Sequence, residues 1–249
     1  MKKVDLYRAR LRSLDFWDDT LLRESGLPGP RGNLELAKAA ALEGTRQHFI
    51  RWLAFTPEKA PANTPEEFLA FCGALGLGKL ICLGETAWFA ELRRLANDPR
   101  WRTREAVAMA LQMVGVWNME MLLAELEGWL AGSFLEQRAV AAGLCEPALL
   151  WDVAVCRRVL EILERITAGV VQSSDRKNDA FRTLRQALGY CWSVAAAALP
   201  EEGKQALERW VDYPDADVRW IVRENLKKKR LARLDPQWAA AMLVRAANP

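Results

Sequence analysis

The chain has 249 residues, 51% of them hydrophobic and 27% charged, with a net charge of +3 at neutral pH. That length fits one elongated repeat domain or two ordinary domains, and the composition excludes a disordered chain. The charge is too near balance to announce a nucleic-acid partner by itself, and no apolar run reaches the roughly 18 residues that a membrane span needs.

Residues 1–24 read as one or two amphipathic helices with Leu6, Leu11, Leu14, Phe16, Trp17, Leu21 and Leu22 as their apolar set. They lack the apolar core of a signal peptide. GLPGPRG, from Gly26 to Gly32, is a turn-rich break. Asn33 then caps a long helix running to about Phe55, and TPEKAPA breaks the chain again. Thr64 and Glu67 have the spacing of a capping box, which opens a helix from Pro65 to about Leu75. Glycines at 73, 76, 78 and 84 are expected to shorten or interrupt the helices there.

Beyond them, helices are predicted at about 85–96, 99–115, 118–131, 134–145, 152–168, 176–198, 201–212, 216–231 and 236–247. Asn97 or Asp98 is placed to cap the second of these, with Pro99 in its first turn. No strand alternation of useful length occurs, so the fold class is all-α.

One frame recurs. LANDPRWRTREAVAMALQ, from Leu95 to Gln112, returns as WVDYPDADVRWIVRENLKKKRL, from Trp210 to Leu231, and each sets a proline five residues before an arginine. Weaker copies place Arg138 five residues after Ser133 and Arg182 before another Leu/Ala-rich run. Arg104, Arg138, Arg182 and Arg219 stand 34, 44 and 37 residues apart. A period of roughly 35 to 45 residues built from helix pairs marks a helical solenoid. Turn, polar residue, Val-Arg and alanine-rich helix resemble HEAT repeats, clearest over residues 85–231, with 1–84 as divergent repeats or a cap. The resemblance implies a single α-α superhelix over 1–249, and it names an architecture and not an activity.

Several chemistries can be set aside. GALGLGKL, from Gly73 to Leu80, has the wrong glycine spacing for a phosphate-binding loop, and Leu80 stands where a hydroxyl should hold magnesium. His48 is the only histidine, without the nucleophile motif it would need, so its role is structural. Clustered Cys and His are absent, so neither a metal nor a cofactor is expected. Five scattered cysteines without a CxxC read as reduced, buried thiols of a cytoplasmic protein.

Two features retain functional weight. Among eleven tryptophans, most of which should fill gaps between helices, Trp101 and Trp220 sit beside a repeat's opening turn. On the helix predicted at 216–231, Arg219, Arg223, Lys227 and Arg230 share one face, opposite Val218, Ile221, Val222 and Leu226. A basic stripe beside an aromatic suits a phosphate backbone or an acidic partner. The expected function is a non-enzymatic scaffold whose concave face binds a protein or a nucleic acid.

WRTRE, with Trp101 four residues before Glu105, also resembles the alkylpurine DNA glycosylases of the AlkD type, themselves built on HEAT-like repeats. The resemblance implies a site on duplex DNA with Trp101, Arg138 and Tyr190 or Trp192 binding and Glu105 catalytic. Two aromatic faces and a carboxylate would favour a cationic alkylated nucleotide and the charge that grows on its sugar. Glu105 replaces an aspartate of that pattern and Tyr190 a tryptophan.

Overall fold

A computed structural model describes residues 2–247. Among them there are fifteen α-helices, two short 3-10 turns and no strand. No helix of the described residues is long and apolar enough to cross a membrane. The chain divides into two compact units, one up to Asn118 and one from Met119.

The first unit holds α1 (Lys3–Arg12), α2 (Asp18–Arg23), α3 (Leu34–Glu43), α4 (Arg46–Leu53), α5 (Pro65–Cys82), α6 (Trp88–Leu95) and α7 (Trp101–Trp117). Its centre is α5, of whose 18 residues all but four are buried. Helix α1 packs on α3, α3 on α5, and α5 on α7, while α4 covers another side of α5. The glycines expected to interrupt α5 lie inside it, because they are where its neighbours come close. A methyl group on Gly76 would lie 2.2 Å from the Phe49 ring, and one on Gly78 would lie 2.8 Å from the Ala110 carbonyl of α7. The close contact offsets glycine's poor helix propensity. Only Gly84, at φ +98°, ends the helix: the Gly84 N–H donates to Ile81 O and the Glu85 N–H to Leu80 O.

The single helix expected from Asn33 to Phe55 is two helices. Asn33 caps α3 as predicted, its side chain accepting from the Leu36 N–H. Gly44 then turns extended, and a methyl there would strike Phe49 and the Ala40 carbonyl. Thr45 starts α4 in a capping box whose far member is His48, with the Thr45 N–H donating to His48 Nδ1 at 3.2 Å. Lys79 closes the other side of this corner by donating to Leu42 O and Gly44 O, both at 2.7 Å. The GALGLGKL stretch is therefore buried helix, with its lysine engaged in capping α3.

The second unit holds α8 (Met119–Leu126), α9 (Phe134–Leu144), α10 (Val153–Gln172), α11 (Asp179–Ala198), α12 (Pro200–Val211), α13 (Ala216–Leu226), α14 (Lys229–Leu234) and α15 (Pro236–Ala247). Helix α9 packs on α11, α11 on α13, and α13 on α15, and α12 lies against α11 and α13. Trp220 of α13 fits over Gly189 of α11, where a methyl would come within 2.9 Å of the indole. Beside it Asn225, fully buried, donates to Leu188 O and accepts from the Ser193 N–H, both at 2.8 Å. One amide thus satisfies backbone groups that side-chain packing alone would leave to their own helix.

The four arginines of the recurring frame need one correction. The fourth residue after the N-cap is Arg104 in α7, Gln137 in α9, Arg182 in α11 and Arg219 in α13. Gln137, not Arg138, holds the common place in α9. Three of the four side chains reach back to the preceding turn: Arg104 to Asp98 O and Pro99 O, Gln137 to Leu130 O and Gly132 O, and Arg182 to Lys177 O. Pro99 and Pro214 both lie just before the N-cap and not in the first turn. Asp98 does not cap α7 either; it is buried against Arg100, and Asn97 bonds back to Arg93 O of α6.

All five cysteines are unpaired, and burial pushes the thiols of Cys72 and Cys145 well above their ordinary range. Of the eleven tryptophans only Trp17, Trp52, Trp129 and Trp192 are buried. Others settle at the surface with the indole N–H on a carboxylate, as Trp88 does on Glu85, Trp210 on Glu164 and Trp238 on Glu208.

Candidate functional site

Trp101 and Glu105 come together in the first unit. They stand one helical turn apart on α7 and line the same cavity, about 190 Å³ in volume, between α7, α5 and the segment leading into α3. Its floor is apolar: Leu27, Leu34, Phe68 and Phe71, the last two with rings parallel to within 6° and centroids 6.2 Å apart. Trp101, half exposed, stands with Arg31 and Glu105 on the solvent side.

Arg102 fixes the indole from below. Its guanidinium lies 4.4 Å from the centre of the Trp101 ring. It is itself buried, donating to Glu67 Oε2 at 3.2 Å, Gly29 O at 2.6 Å and Asn63 Oδ1 at 3.2 Å. Glu67 is fully buried, and Oε2 also accepts the Asn63 N–H at 2.6 Å. The expected Thr64–Glu67 capping box therefore does not form. Glu67 is the counter-charge of Arg102, because a buried guanidinium needs a carboxylate more than a helix end, which water can solvate, needs a cap. Glu67 Oε1 and Arg102 Nε are buried without a hydrogen-bond partner. The sequence pointed to Trp101 and Glu105 through the resemblance of WRTRE to the glycosylase pattern, with the two one helical turn apart. Sequence reasoning missed Arg102, Glu67 and the two phenylalanines, since 35 residues separate the ion pair and no local pattern announces it.

The remaining candidates belong to the second unit. Tyr190 on α11 is half exposed, with Arg230 Cζ 4.6 Å and Lys228 Nζ 5.7 Å from its ring centre. Arg230 also donates to the phenolic oxygen. Trp220 has the Arg185 guanidinium 4.4 Å from its ring centre, and Arg185 is held by Asp217. Trp192 is 1% exposed and donates to Thr167 Oγ1 at 3.0 Å, so it is core and not a binding surface. Arg138, half-buried, sits in the first turns of α9.

The basic stripe is broken. Helix α13 stops at Leu226, and α14 restarts at Lys229. Leu226 and Leu231 are both buried, yet five residues on a straight helix would point them roughly 140° apart. The break turns both inward. Arg219 and Arg223 stay on α13, Lys227 is its C-cap and pairs with Glu224 at 2.6 Å, and Arg230, on α14, lies against Tyr190 of α11. The charge itself remains: between Arg223 and Arg233 six of eleven residues are basic and one is acidic. Arg223, Lys227, Lys229 and Arg233 are exposed.

Among the described residues no group of Cys, His, Asp and Glu could hold a metal. No protein-family model matches the chain, and neither a curated protein nor a solved structure matches it.

Proposed function

We propose that the protein is a HEAT-like α-solenoid scaffold that binds nucleic acid through the basic, aromatic surface of its second unit. The architecture is supported by the stacking of alternate helices, α1–α3–α5–α7 in one unit and α9–α11–α13–α15 in the other. It is supported too by the fourth residue after the N-cap bonding back to the turn in α7, α9 and α11. Stacked helix pairs that bond only to their neighbours are the general plan of such repeats. Five unpaired cysteines suit the reducing cytoplasm, where we place the protein.

The observation that carries the ligand class is the Tyr190 cluster. An exposed ring holds Arg230 and Lys228 against it, and Arg223, Lys227, Lys229 and Arg233 extend the positive field. Cations that release counterions from phosphates, beside an aromatic face, bind a nucleic-acid backbone without reading its sequence. An acidic protein surface is the alternative occupant of the same charge. Affinity for duplex DNA, single-stranded DNA and RNA across a salt series separates the two, because only the polyanions show the steep counterion-release slope.

A second reading, a DNA-alkylation-repair protein of the glycosylase type, is favoured by one finding: Trp101 and Glu105 share a cavity. In that reading Glu105 stabilises the sugar cation as an alkylated purine leaves. Release of methylated purine from duplex DNA above the spontaneous rate is its test, with Glu105→Gln expected to lower the rate by about 10²-fold.

A further inference from the structure

We propose that the cavity beneath Trp101 is a binding site for a small neutral aromatic molecule of one ring, with at most one polar substituent. The proposal rests on neither functional reading above. It follows from the size, the walls and the charges of this one place in the first unit.

Size comes first. The cavity measures about 190 Å³. An apolar cavity of roughly 150 Å³ in a protein interior stays dry and takes up benzene. This one, open on the Trp101 side, has room for a substituted single ring within its walls. The walls come second. Phe68 and Phe71 offer parallel rings and the Trp101 indole a third aromatic surface, with Leu27 and Leu34 completing the apolar lining. Aromatic walls of this kind hold a planar ring by stacking and edge contacts. The indole is not a loose side chain, because the buried, triply bonded guanidinium of Arg102 holds one of its faces. A site whose walls are already fixed loses little freedom when the ligand enters.

Charge decides the class. Two of the lining residues, Arg31 and Arg102, are cationic, and one, Glu105, is anionic. Arg102 is already paired with Glu67 at 3.2 Å and Arg31 with Glu35 at 3.7 Å, so the class rests on desolvation: a ring of either charge would lose its water against the apolar floor. A neutral ring meets no such cost. A single hydroxyl or amino substituent can turn outward, where the exposed Arg31 and the half-buried Glu105 supply a donor and an acceptor.

Gly32 gives the means of testing this. It lines the cavity, and a methyl placed on it would lie 3.6 Å from the Phe68 ring, an ordinary contact, with no positive φ to strain it. The same methyl lies 3.7 Å from the Ser25 carbonyl, so a branched side chain there takes up space beside Phe68 from an uncrowded start. Toluene, phenol and N-methylpyridinium, which has the shape of toluene and a positive charge, are titrated into the full-length protein by ligand-observed NMR and calorimetry. We expect toluene and phenol to bind and N-methylpyridinium to bind at least tenfold more weakly. Gly32→Val should weaken toluene by tenfold or more while leaving the urea midpoint of the ligand-free protein unchanged or raised. If that variant does not fold, Leu34→Phe fills the same space from the α3 side. Binding of N-methylpyridinium as tight as that of toluene would overturn the neutral class and favour the cationic base of the glycosylase reading. Failure of all three probes to bind at millimolar concentration would overturn the site. Toluene binding unchanged in both filled variants would place it elsewhere, with the same consequence. Loss of nucleic-acid binding by the second unit would not bear on any of these results.

Discussion

Trp17 and His48 lie face to face, their ring centroids 4.6 Å apart and their planes within 8° of parallel. The imidazole is at once a stacking partner for α2's N-cap residue and the far member of the box that starts α4. Accepting the Thr45 N–H at Nδ1 requires that nitrogen to be unprotonated. Burial, and then the nearby Arg51, hold the imidazole below its ordinary value of 6.5, against the pull of Asp18.

A group whose folded-state value is depressed contributes stability that is present above about pH 6.5 and is lost as the pH falls through the lower folded value. Urea unfolding at pH 7.5 and pH 5.5 should therefore show a loss in the wild type that is smaller in His48→Gln, which keeps an acceptor but does not titrate. Equal losses in both proteins would show that His48 is not linked to folding.

Much of this corner was hidden from sequence reasoning. A histidine seldom stands third in a capping box, and Gly44 looked like a tolerated residue in a long helix. What broke the helix was Phe49, which needs the space a Cβ at Gly44 would take. Helices α9 to α13 were legible because each opens on a polar or proline residue, Ser133, Asp152, Asn178, Pro200 and Asp215 in turn, ahead of an apolar run. The α13–α14 break was not, since it serves two leucines five apart and leaves no turn residue behind. Trp101 and Glu105 were legible through the WRTRE wording that resembles the glycosylase pattern. The floor of their cavity was not, because Phe68 and Phe71 belong to a helix whose all-round hydrophobicity points nowhere in particular.

The same helix supplies a second prediction. Alanine in place of glycine should favour an exposed helix by roughly 1 kcal/mol. At Gly76 the new methyl would lie 2.2 Å from Phe49 Cδ1 and 2.3 Å from Cε1, and that ring is fully buried. Overpacking of that kind costs about 1–3 kcal/mol or more, so it outweighs the propensity gain. Gly76→Ala should lower the urea midpoint, whereas Gly169→Ala, on α10 with open space around it, should leave it unchanged or raise it. A stabilised Gly76→Ala would contradict the α4–α5 contact.

The Arg102–Glu67 pair gives a third. Removing one member of a buried ion pair leaves an uncompensated charge and costs about 3–5 kcal/mol, while replacing both is far milder. Arg102→Met and Glu67→Gln should each destabilise strongly, and the double variant should cost clearly less than the two together. Additive losses in a double-mutant cycle would show that the two side chains do not act on each other. Trp101 provides an independent signal, since loss of the guanidinium beneath it should shift its fluorescence against a Trp101→Phe reference.

The central claim is that the second unit binds nucleic acid through its broken basic stripe, and one measurement reaches it directly. Fluorescence anisotropy with labelled duplex and single-stranded DNA and RNA is recorded at several salt concentrations for the wild type and for Arg223→Glu/Lys227→Glu. We predict binding that weakens linearly on a log–log salt plot, by about 0.9 per phosphate contact on duplex DNA. The double variant should bind every sequence more weakly and show a slope shallower by roughly two contacts. No binding of any of these polyanions at low salt, or a double variant with the affinity and slope of the wild type, would contradict the account.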